Sequence, residues 1–123
     1  MVKKILIVED DQVMRSLYID LLTAEGFSVD TAVDGEEAYT KLSTASYDLV
    51  LLDYLLPKLN GDMVLAKLSK EHPEISRPRV LFITNYDKVQ ADKYIGNLGY
   101  SYFVKSDLTP ENFVKKIKEF ISI

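Results

Sequence analysis

The sequence predicts a doubly wound α/β domain, in which five parallel strands form one sheet and five helices cover its two faces. One observation is a set of three uninterrupted apolar runs of four residues, each with β-branched members: Ile5–Val8, Leu49–Leu52 and Val80–Ile83. Such runs are typical of strands that are buried on both faces. A second observation is that the segments between the runs repeat apolar residues at helical spacing. Strand and helix therefore alternate, as they do in parallel sheets.

Helical spacing identifies the first three helices. The residues expected to face the core are Val13, Leu17, Leu21 and Ala24 in the first helix, Ala38, Leu42 and Ala45 in the second, and Val64 with Leu68 in the third. Between the first two helices, residues 27–34 alternate in character, with Phe27, Val29, Thr31 and Val33 on one side. A period of two predicts a strand with one exposed face, which places this second strand at a sheet edge.

The last third of the chain completes the pattern. Lys88–Leu98 is a weakly amphipathic stretch that contains Gly96, so the fourth helix is expected to be the least stable. A short strand follows at Tyr102–Val104. The fifth helix is clearer, because Thr109 is a suitable N-cap, Pro110 suits the first helical position, and apolar residues recur at helical spacing at Phe113, Ile117, Phe120 and Ile121.

Length and composition restrict the class of protein. The 123 residues suit one domain, which we assign to residues 1–123. The 15 Lys and Arg against 19 Asp and Glu give a net charge of −4 without a basic stripe, so we expect no nucleic-acid partner for this domain. The apolar runs are far shorter than the roughly 18–20 residues of a membrane span, and no export signal precedes them, so we expect no membrane partner and a cytoplasmic location. With no cysteine and one histidine, His72, neither thiol catalysis nor a histidine-based triad is expected.

Chemically active side chains follow four of the predicted strands. They are Glu9, Asp10 and Asp11 after the first strand, Asp53 after the third, Thr84 after the fourth and Lys105 after the fifth. Ligands of doubly wound sheets bind outside the carboxyl ends of the strands, where these side chains should meet. Two carboxylates about 4 Å apart repel by roughly 4 kcal/mol at an effective dielectric constant of 20, and a hard divalent cation such as Mg²⁺ relieves that repulsion. With the cation and Lys105 neutralising charge, an Asp carboxylate could attack phosphorus and form an acyl phosphate.

On the evidence of these residues, the chain resembles the receiver domain of two-component response regulators over essentially its whole length. Within that family it resembles the receiver domains that are similar to chemotaxis regulators. The matching motifs are ILIVEDD at residues 5–11, DYLLPKLNG at 53–61, Thr84, and YFVK at 102–105. The motif at 53–61, directly after an apolar strand, is the most specific. The resemblance implies a flavodoxin-like strand order, 2-1-3-4-5.

The resemblance also implies a role for each matching residue. Asp53 would accept a phosphoryl group from a sensor histidine kinase or a phosphotransfer protein, and the chain would be no enzyme beyond its own phosphorylation and dephosphorylation. The ligands of Mg²⁺ would be Asp53, Asp10, the backbone carbonyl of Leu55 and, through water, Glu9. Thr84 and Lys105 would contact the phosphoryl oxygens. Thr84 and Tyr102 would form the switch that changes the face of the fourth helix, fifth strand and fifth helix, which would contact an unidentified downstream protein.

Several residues allow plainer interpretations. Asp11 fits an N-cap of the first helix as well as a metal ligand, so we leave it outside the site. Thr84 could instead be an ordinary strand residue, and Lys105 could be a solvated surface lysine. Tyr102 could simply be a half-buried residue that packs against its neighbours. Pro57 and Gly61 are expected to shape their loop, and the peptide bond before Ser106, where the family usually has proline, is expected to be trans because a non-proline cis bond costs about 2.5–4 kcal/mol.

Leu55 and Tyr86 lie two residues beyond Asp53 and Thr84, at positions that should flank the phosphoryl group. Neither is an acid or an amide that could orient water. We therefore hypothesise slow self-dephosphorylation, because their bulk would obstruct in-line attack by water.

Two other functions remain open at this stage. A Mg²⁺-dependent phosphatase or phosphotransferase could use an Asp nucleophile on a similar sheet, but such enzymes usually have a second Asp two residues later, where this chain has Leu55. A receiver-like interaction module that is never phosphorylated is the other alternative. Steady turnover of a phosphorylated substrate would favour the enzyme, whereas stoichiometric self-labelling would favour the receiver.

Overall fold

The computed structural model describes residues 2–122 and contains one five-stranded parallel sheet in the order β2-β1-β3-β4-β5. Its strands are β1 (Lys4–Val8), β2 (Ser28–Ala32), β3 (Leu49–Asp53), β4 (Val80–Thr84) and β5 (Ser101–Val104). Its helices are α1 (Gln12–Ala24), α2 (Gly35–Thr44), α3 (Gly61–Glu71), α4 (Lys88–Tyr94) and α5 (Pro110–Ile121). The predicted fold class and strand order are confirmed.

The sheet separates two apolar cores. Alternate residues of β1 face opposite ways, so that Leu6 packs with α2 and α3 while Ile7 packs with α1 and α5. Every residue of β3 and of β4 is buried, as the continuous apolar runs predict. Because all strands are parallel, their carboxyl ends lie at one edge of the sheet, and the sequence order reverses there between β1 and β3.

The prediction for the core face of α1 was wrong in part. Val13 is 76% exposed, and Leu17 and Ala24 are also exposed. The buried residues of α1 are Tyr18 and Leu22. The sequence offers two neighbouring apolar stripes with equally good helical spacing, and the position of α1 against the sheet decides between them.

The second β–α unit also differs in detail. β2 is an edge strand, as predicted, but it is shorter than residues 27–34. Ala32, expected on the exposed side, is completely buried, because α2 crosses above the end of the strand and brings Ala38 into the same core. Ala45, expected in the core, is an exposed residue at the end of α2.

The last two helices differ in how closely they agree with the sequence prediction. The predicted helix Lys88–Leu98 ends at Tyr94 and is followed by a 3-10 turn, Gly96–Leu98, that closes on Gly99 at a φ of 89°. α5 begins as predicted, since Thr109 caps it and Asn112 completes a capping box. Phe113 and Ile117 are buried and the rest of the predicted apolar face is half-buried.

Within residues 2–122, no helix combines the length and apolar character that crossing a membrane requires. The location in the cell stays a prediction.

Candidate functional site

Three carboxyl groups meet at the carboxyl edge of the sheet. β1 and β3 are neighbours in register, with Val8 opposite Leu52, so Glu9 and Asp53 come next to each other where the strands end. Oxygen atoms of Glu9, Asp10 and Asp53 all lie within 4.8 Å of one another. Glu9 and Asp53 are buried, whereas Asp10 is exposed. The structure therefore brings together the three side chains predicted as metal ligands.

Lys105 enters this cluster from the end of β5. Its Nζ lies 2.7 Å from Glu9 Oε1 and 2.8 Å from Asp53 Oδ2, and its side chain is only 10% exposed. Burial by itself would lower the pKa of Lys105, but the hydrogen bond to Asp53 and the close contact with Glu9 outweigh burial and raise that pKa above the ordinary lysine value. The lysine is therefore a permanent cation here, and not the solvated surface residue that its sequence position also allowed.

The surroundings of Glu9 disfavour the charged form of its carboxyl group. Burial raises the pKa of Glu9 to about 7, and the neighbouring charge of Asp53 adds to that shift, while Lys105 opposes it. Its Oε1 atom, although in ion-pair contact with Lys105, has no well-oriented hydrogen bond. A cation bound by the three carboxyl groups would supply the missing positive charge, and carboxylate oxygens are the ligands that Mg²⁺ prefers. The residues therefore fit Mg²⁺.

The loop between β1 and α1 is held by hydrogen bonds that place the acids. Asp11 caps α1 by accepting hydrogen bonds from the amides of Val13 and Met14, at 2.9 and 3.0 Å. This agrees with leaving Asp11 outside the site. Arg15 donates through Nη1 to the backbone carbonyl of Glu9 at 2.8 Å, which fixes the backbone from which Glu9 extends.

The loop after Asp53 depends on a close backbone approach. The amide of Gly61 donates to the carbonyl of Tyr54 at 2.7 Å. A Cβ atom on Gly61 would lie 2.6 Å from the backbone oxygen of Asp53, so α3 can start here only with glycine. Leu55 lies on this loop with a half-exposed side chain, and the metal-binding role of its carbonyl stays a prediction.

Thr84 closes the site from the end of β4. Its side chain is buried, and its Oγ1 accepts a hydrogen bond of 3.0 Å from the backbone amide of Tyr86. The ring of Tyr86 packs against those of Tyr54 and Tyr94, at centroid distances of 5.7 and 5.4 Å. Thr84 is therefore tied to an aromatic group that reaches the end of α4.

Tyr102 lies on β5, outside the acid cluster, and is half-buried. Its hydroxyl donates a hydrogen bond to Asp92 of α4, and the same carboxylate pairs with Lys88 at 3.1 Å. The hydrogen bond from Tyr102 is the main reason that the pKa of Asp92 lies below its ordinary value. Tyr102 thus links β5 to α4, and its proposed movement stays a prediction.

The segment after Lys105 forms a 3-10 turn over Lys105–Asp107. No cis peptide bond occurs within the described residues, so the bond before Ser106 is trans, as predicted.

Two residues at the site were not identified as part of it from the sequence. Gly61 was assigned only to loop shape, although a Cβ atom there would lie 2.6 Å from the backbone oxygen of Asp53. Arg15 carries no local signal, because the spacing of α1 does not show that its guanidinium turns back to Glu9.

Comparisons with known proteins agree with this geometry. The family model described as the response regulator receiver domain matches residues 5–118. The chain is 35% identical to the alkaline phosphatase synthesis transcriptional regulatory protein PhoP of Bacillus subtilis over 117 residues, which cover 94% of this chain and 47% of PhoP. It is 34% identical to the transcriptional regulatory protein CrdR of Helicobacter pylori over 122 residues, which cover 99% of this chain and 56% of CrdR. The chain thus spans about half the length of these two relatives.

Two solved structures are similar over almost their whole length. A CheY-like response regulator receiver domain protein from Methanospirillum hungatei has a TM-score of 0.83 and 28% identity, with 99% of this chain and 95% of that one covered. The response regulator TrrA of Thermotoga maritima, solved in complex with Mg²⁺ and BeF, has a TM-score of 0.79 and 29% identity, with 97% and 99% covered.

Proposed function

This chain belongs to the response regulator receiver domain family of two-component systems, and from that premise we propose that it accepts a phosphoryl group on Asp53. The donor is a phosphohistidine of a sensor histidine kinase or of a phosphotransfer protein. An oxygen of the Asp53 carboxylate forms the new bond to phosphorus. The bond from phosphorus to the imidazole nitrogen breaks, and its electron pair stays on the imidazole. The product is an acyl phosphate on Asp53.

One observation carries this proposal: Lys105 bridges Asp53 and Glu9 in a buried cluster that also contains Asp10. A phosphoryl group adds negative charge beside Asp53, and a buried lysine 2.8 Å away stabilises that charge more strongly than a solvated one could. Thr84, buried at the end of the neighbouring strand, supplies a hydroxyl donor for a phosphoryl oxygen.

Mg²⁺ is the proposed cofactor. Asp10, Asp53 and the carbonyl of Leu55 would hold it directly and Glu9 through water. When bound, it would neutralise charge on the phosphoryl oxygens as a Lewis acid. Among the protein's own groups, Arg15 holds the backbone of Glu9 and Lys105 holds the carboxylate of Asp53, so the acids are positioned before a ligand arrives.

The proposed output is a change at α4, β5 and α5 that a protein partner recognises. Thr84 is bonded to the amide of Tyr86, and the ring of Tyr86 contacts Tyr94 at the end of α4. Movement of the Thr84 hydroxyl toward a phosphoryl group would therefore disturb the packing of α4. This helix has only seven residues and one buried side chain, Ala91, so a second position for it lies close in free energy.

Intact mass spectrometry after incubation with Mg²⁺ and acetyl phosphate tests the proposal. We expect one added phosphoryl group, lost in Asp53→Asn and in excess EDTA. Asp11→Asn is the matched control, because Asp11 lies outside the cluster and asparagine also caps helices, and it should be labelled like the wild type. No adduct would indicate an unphosphorylated interaction module, and continuous release of phosphate from a substrate would indicate an enzyme.

A further inference from the structure

The loop between β3 and α3 is fastened at two points. At its base, the amide of Gly61 donates to the carbonyl of Tyr54 at 2.7 Å. Near its middle, the carbonyl of Pro57 accepts a hydrogen bond of 3.1 Å from the amide of Gly35, the first residue of α2. Leu55, whose backbone carbonyl is a proposed metal ligand, lies between these two points. The position of that carbonyl therefore depends on α2 as well as on β3.

Lys58 follows the second of these points and has an unusual backbone conformation. Its φ is 70°, and among residues 2–122 it is the one residue other than glycine with a positive φ. The amide of Leu59 donates to the carbonyl of Pro57 at 2.8 Å, so the chain reverses across Lys58 in a three-residue turn. A side chain at positive φ is strained, and it keeps that conformation only where its surroundings hold it. Contacts outside the turn must therefore support it.

The start of α2 supplies those contacts. The Nζ atom of Lys58 lies 3.4 Å from Asp34 Oδ2 and 3.6 Å from Glu36 Oε2. Asp34 is itself fixed, because it is the N-cap of α2. The backbones also touch, since a Cβ atom on Gly35 would overlap the backbone oxygen of Leu59. Two ion pairs and close backbone packing thus hold the turn against α2.

The exposure of these ion pairs shows which of them matters. The side chain of Glu36 is 64% exposed, whereas that of Asp34 is only 15% exposed, so the pair between Lys58 and Asp34 is the less solvated one. The charge of Lys58 by itself would oppose the binding of a cation by nearby residues. Loss of that charge alone would therefore strengthen Mg²⁺ binding, whereas loss of support for the loop would weaken it. The sign of the effect separates the two roles.

We propose that Lys58 is a positioning residue for Mg²⁺: through Asp34 it holds the loop against α2, in the conformation in which the backbone carbonyl of Leu55 binds the cation. This inference rests on the proposed function. It accounts for a long, charged residue at a positive φ, where glycine would fit without strain. It also makes the start of α2 part of the support of the site, although α2 contributes none of the three clustered acids.

The test is the dissociation constant of Mg²⁺, measured by calorimetry on unphosphorylated protein at fixed ionic strength. Lys58→Met keeps a long side chain but loses the ion pairs, and it should weaken Mg²⁺ binding about twofold to fivefold, the usual effect of a partly exposed ion pair. Lys58→Arg keeps the charge and should bind Mg²⁺ like the wild type. Lys70→Met removes an exposed lysine of the last turn of α3 and controls for net charge, so it should not weaken binding. Equal or tighter binding in Lys58→Met would overturn the proposal.

Lys58→Gly separates positioning from stability. Glycine adopts a positive φ without strain, which offsets the greater freedom of the unfolded chain, so the urea midpoint should stay close to that of the wild type. The loop would lose its support, so Mg²⁺ binding should be weakened at least as much as in Lys58→Met. A wild-type affinity for Mg²⁺ in Lys58→Gly would overturn the proposal.

A double-mutant cycle with Asp34→Asn tests whether Lys58 acts through Asp34. Asparagine also caps helices, so α2 should still form. Asp34→Asn should weaken Mg²⁺ binding more in the wild type than in Lys58→Met, because the ion pair is already lost in that variant. Equal effects in the two backgrounds would overturn the role of the ion pair while leaving the proposed function intact. Wild-type protein that neither binds Mg²⁺ nor accepts a phosphoryl group would instead overturn the proposed function, and this inference with it.

Discussion

The Nζ atom of Lys105 lies 2.8 Å from Oδ2 of Asp53, although the two residues are 52 positions apart in the sequence. They meet because β3 and β5 both end at the carboxyl edge of the sheet on either side of β4. The same lysine contacts Glu9, so one cation holds two buried carboxyl groups from different strands. The chemistry proposed for Asp53 depends on this arrangement.

Replacing Lys105 should therefore slow phosphorylation without preventing folding. We expect Lys105→Met to lower the rate of labelling by acetyl phosphate about a hundredfold or more, the usual effect of losing a preorganised donor at a developing charge. The rate is measured by intact mass at saturating Mg²⁺. Lys115→Met removes an exposed lysine of α5 and serves as the control, which should keep the wild-type rate. Equal rates for both variants would contradict the role of Lys105.

The raised pKa of Glu9 predicts how pH affects stability without metal. The folded protein binds this proton more tightly than the unfolded chain, because the pKa rises from 4.5 to about 7 on folding. The contribution of Glu9 to stability should therefore fall as the pH rises from about 4.5 to about 7. Urea unfolding in EDTA at pH 5 and pH 8 should show a steeper loss in wild type than in Glu9→Gln. Identical pH dependence of stability in the two proteins would show that folding does not raise the pKa of Glu9.

Mg²⁺ binding should have the opposite dependence on pH. A proton on Glu9 competes with the cation, so the affinity for Mg²⁺ should rise as the pH increases through about 7. Calorimetric titrations between pH 6 and pH 8 measure this. Glu9→Gln, which has no proton to displace, should bind Mg²⁺ more weakly and with little change over the same range. A wild-type affinity that is independent of pH would contradict the competition.

The hydrogen bond from Tyr102 to Asp92 should restrain α4. We expect Tyr102→Phe to increase amide hydrogen exchange in residues 88–94 about threefold to tenfold, because one of the few tertiary contacts of a short helix is lost. Hydrogen exchange followed by mass spectrometry measures this. Tyr100→Phe, whose ring packs on Phe82 instead, is the control and should leave α4 unchanged. Unaltered exchange in Tyr102→Phe would show that other contacts hold the helix.

Leu55 and Tyr86 should prolong the life of the phosphorylated state. Neither can orient water, and the ring of Tyr86 is held beside Tyr54 and Tyr94. We expect Leu55→Asn and Tyr86→Glu each to shorten the half-life of the acyl phosphate severalfold. The half-life is measured by mass spectrometry, as the decrease of the phosphorylated mass after the donor is removed. An unchanged half-life in both variants would count against obstruction of water by these side chains.

Gly61 should be required for stability. A methyl group there would lie 2.6 Å from the backbone oxygen of Asp53 and 2.8 Å from the ring of Phe82. We expect Gly61→Ala to lower the free energy of unfolding by about 1–3 kcal/mol, measured by urea denaturation. Gly96→Ala is the control, because the nearest atom to its added carbon would be 3.5 Å away. Similar stabilities for the two variants would indicate that α3 can shift to accept the methyl group.

Much of the fold follows from local pattern. The apolar runs of β1, β3 and β4 predicted central strands, and the Thr109 and Pro110 pair predicted the start of α5, because both signals act through neighbouring residues. The core face of α1 could not be predicted, since Val13 and Leu17 have the same spacing as the buried pair Tyr18 and Leu22. The early end of α4 depends on how Ile95 packs into the core, which its neighbours do not show.

The sequence by itself determined the alternation of strand and helix, the edge position of β2 and the set of acids, hydroxyl and lysine at the strand ends, because parallel strands carry their carboxyl ends to a common edge. Only the tertiary structure decided which charges share the buried space. It placed Lys105 between Glu9 and Asp53 and turned Arg15 back to the Glu9 carbonyl. These contacts join residues far apart in the chain, and burial, which raises the pKa of Glu9, exists only after the helices have packed on the sheet.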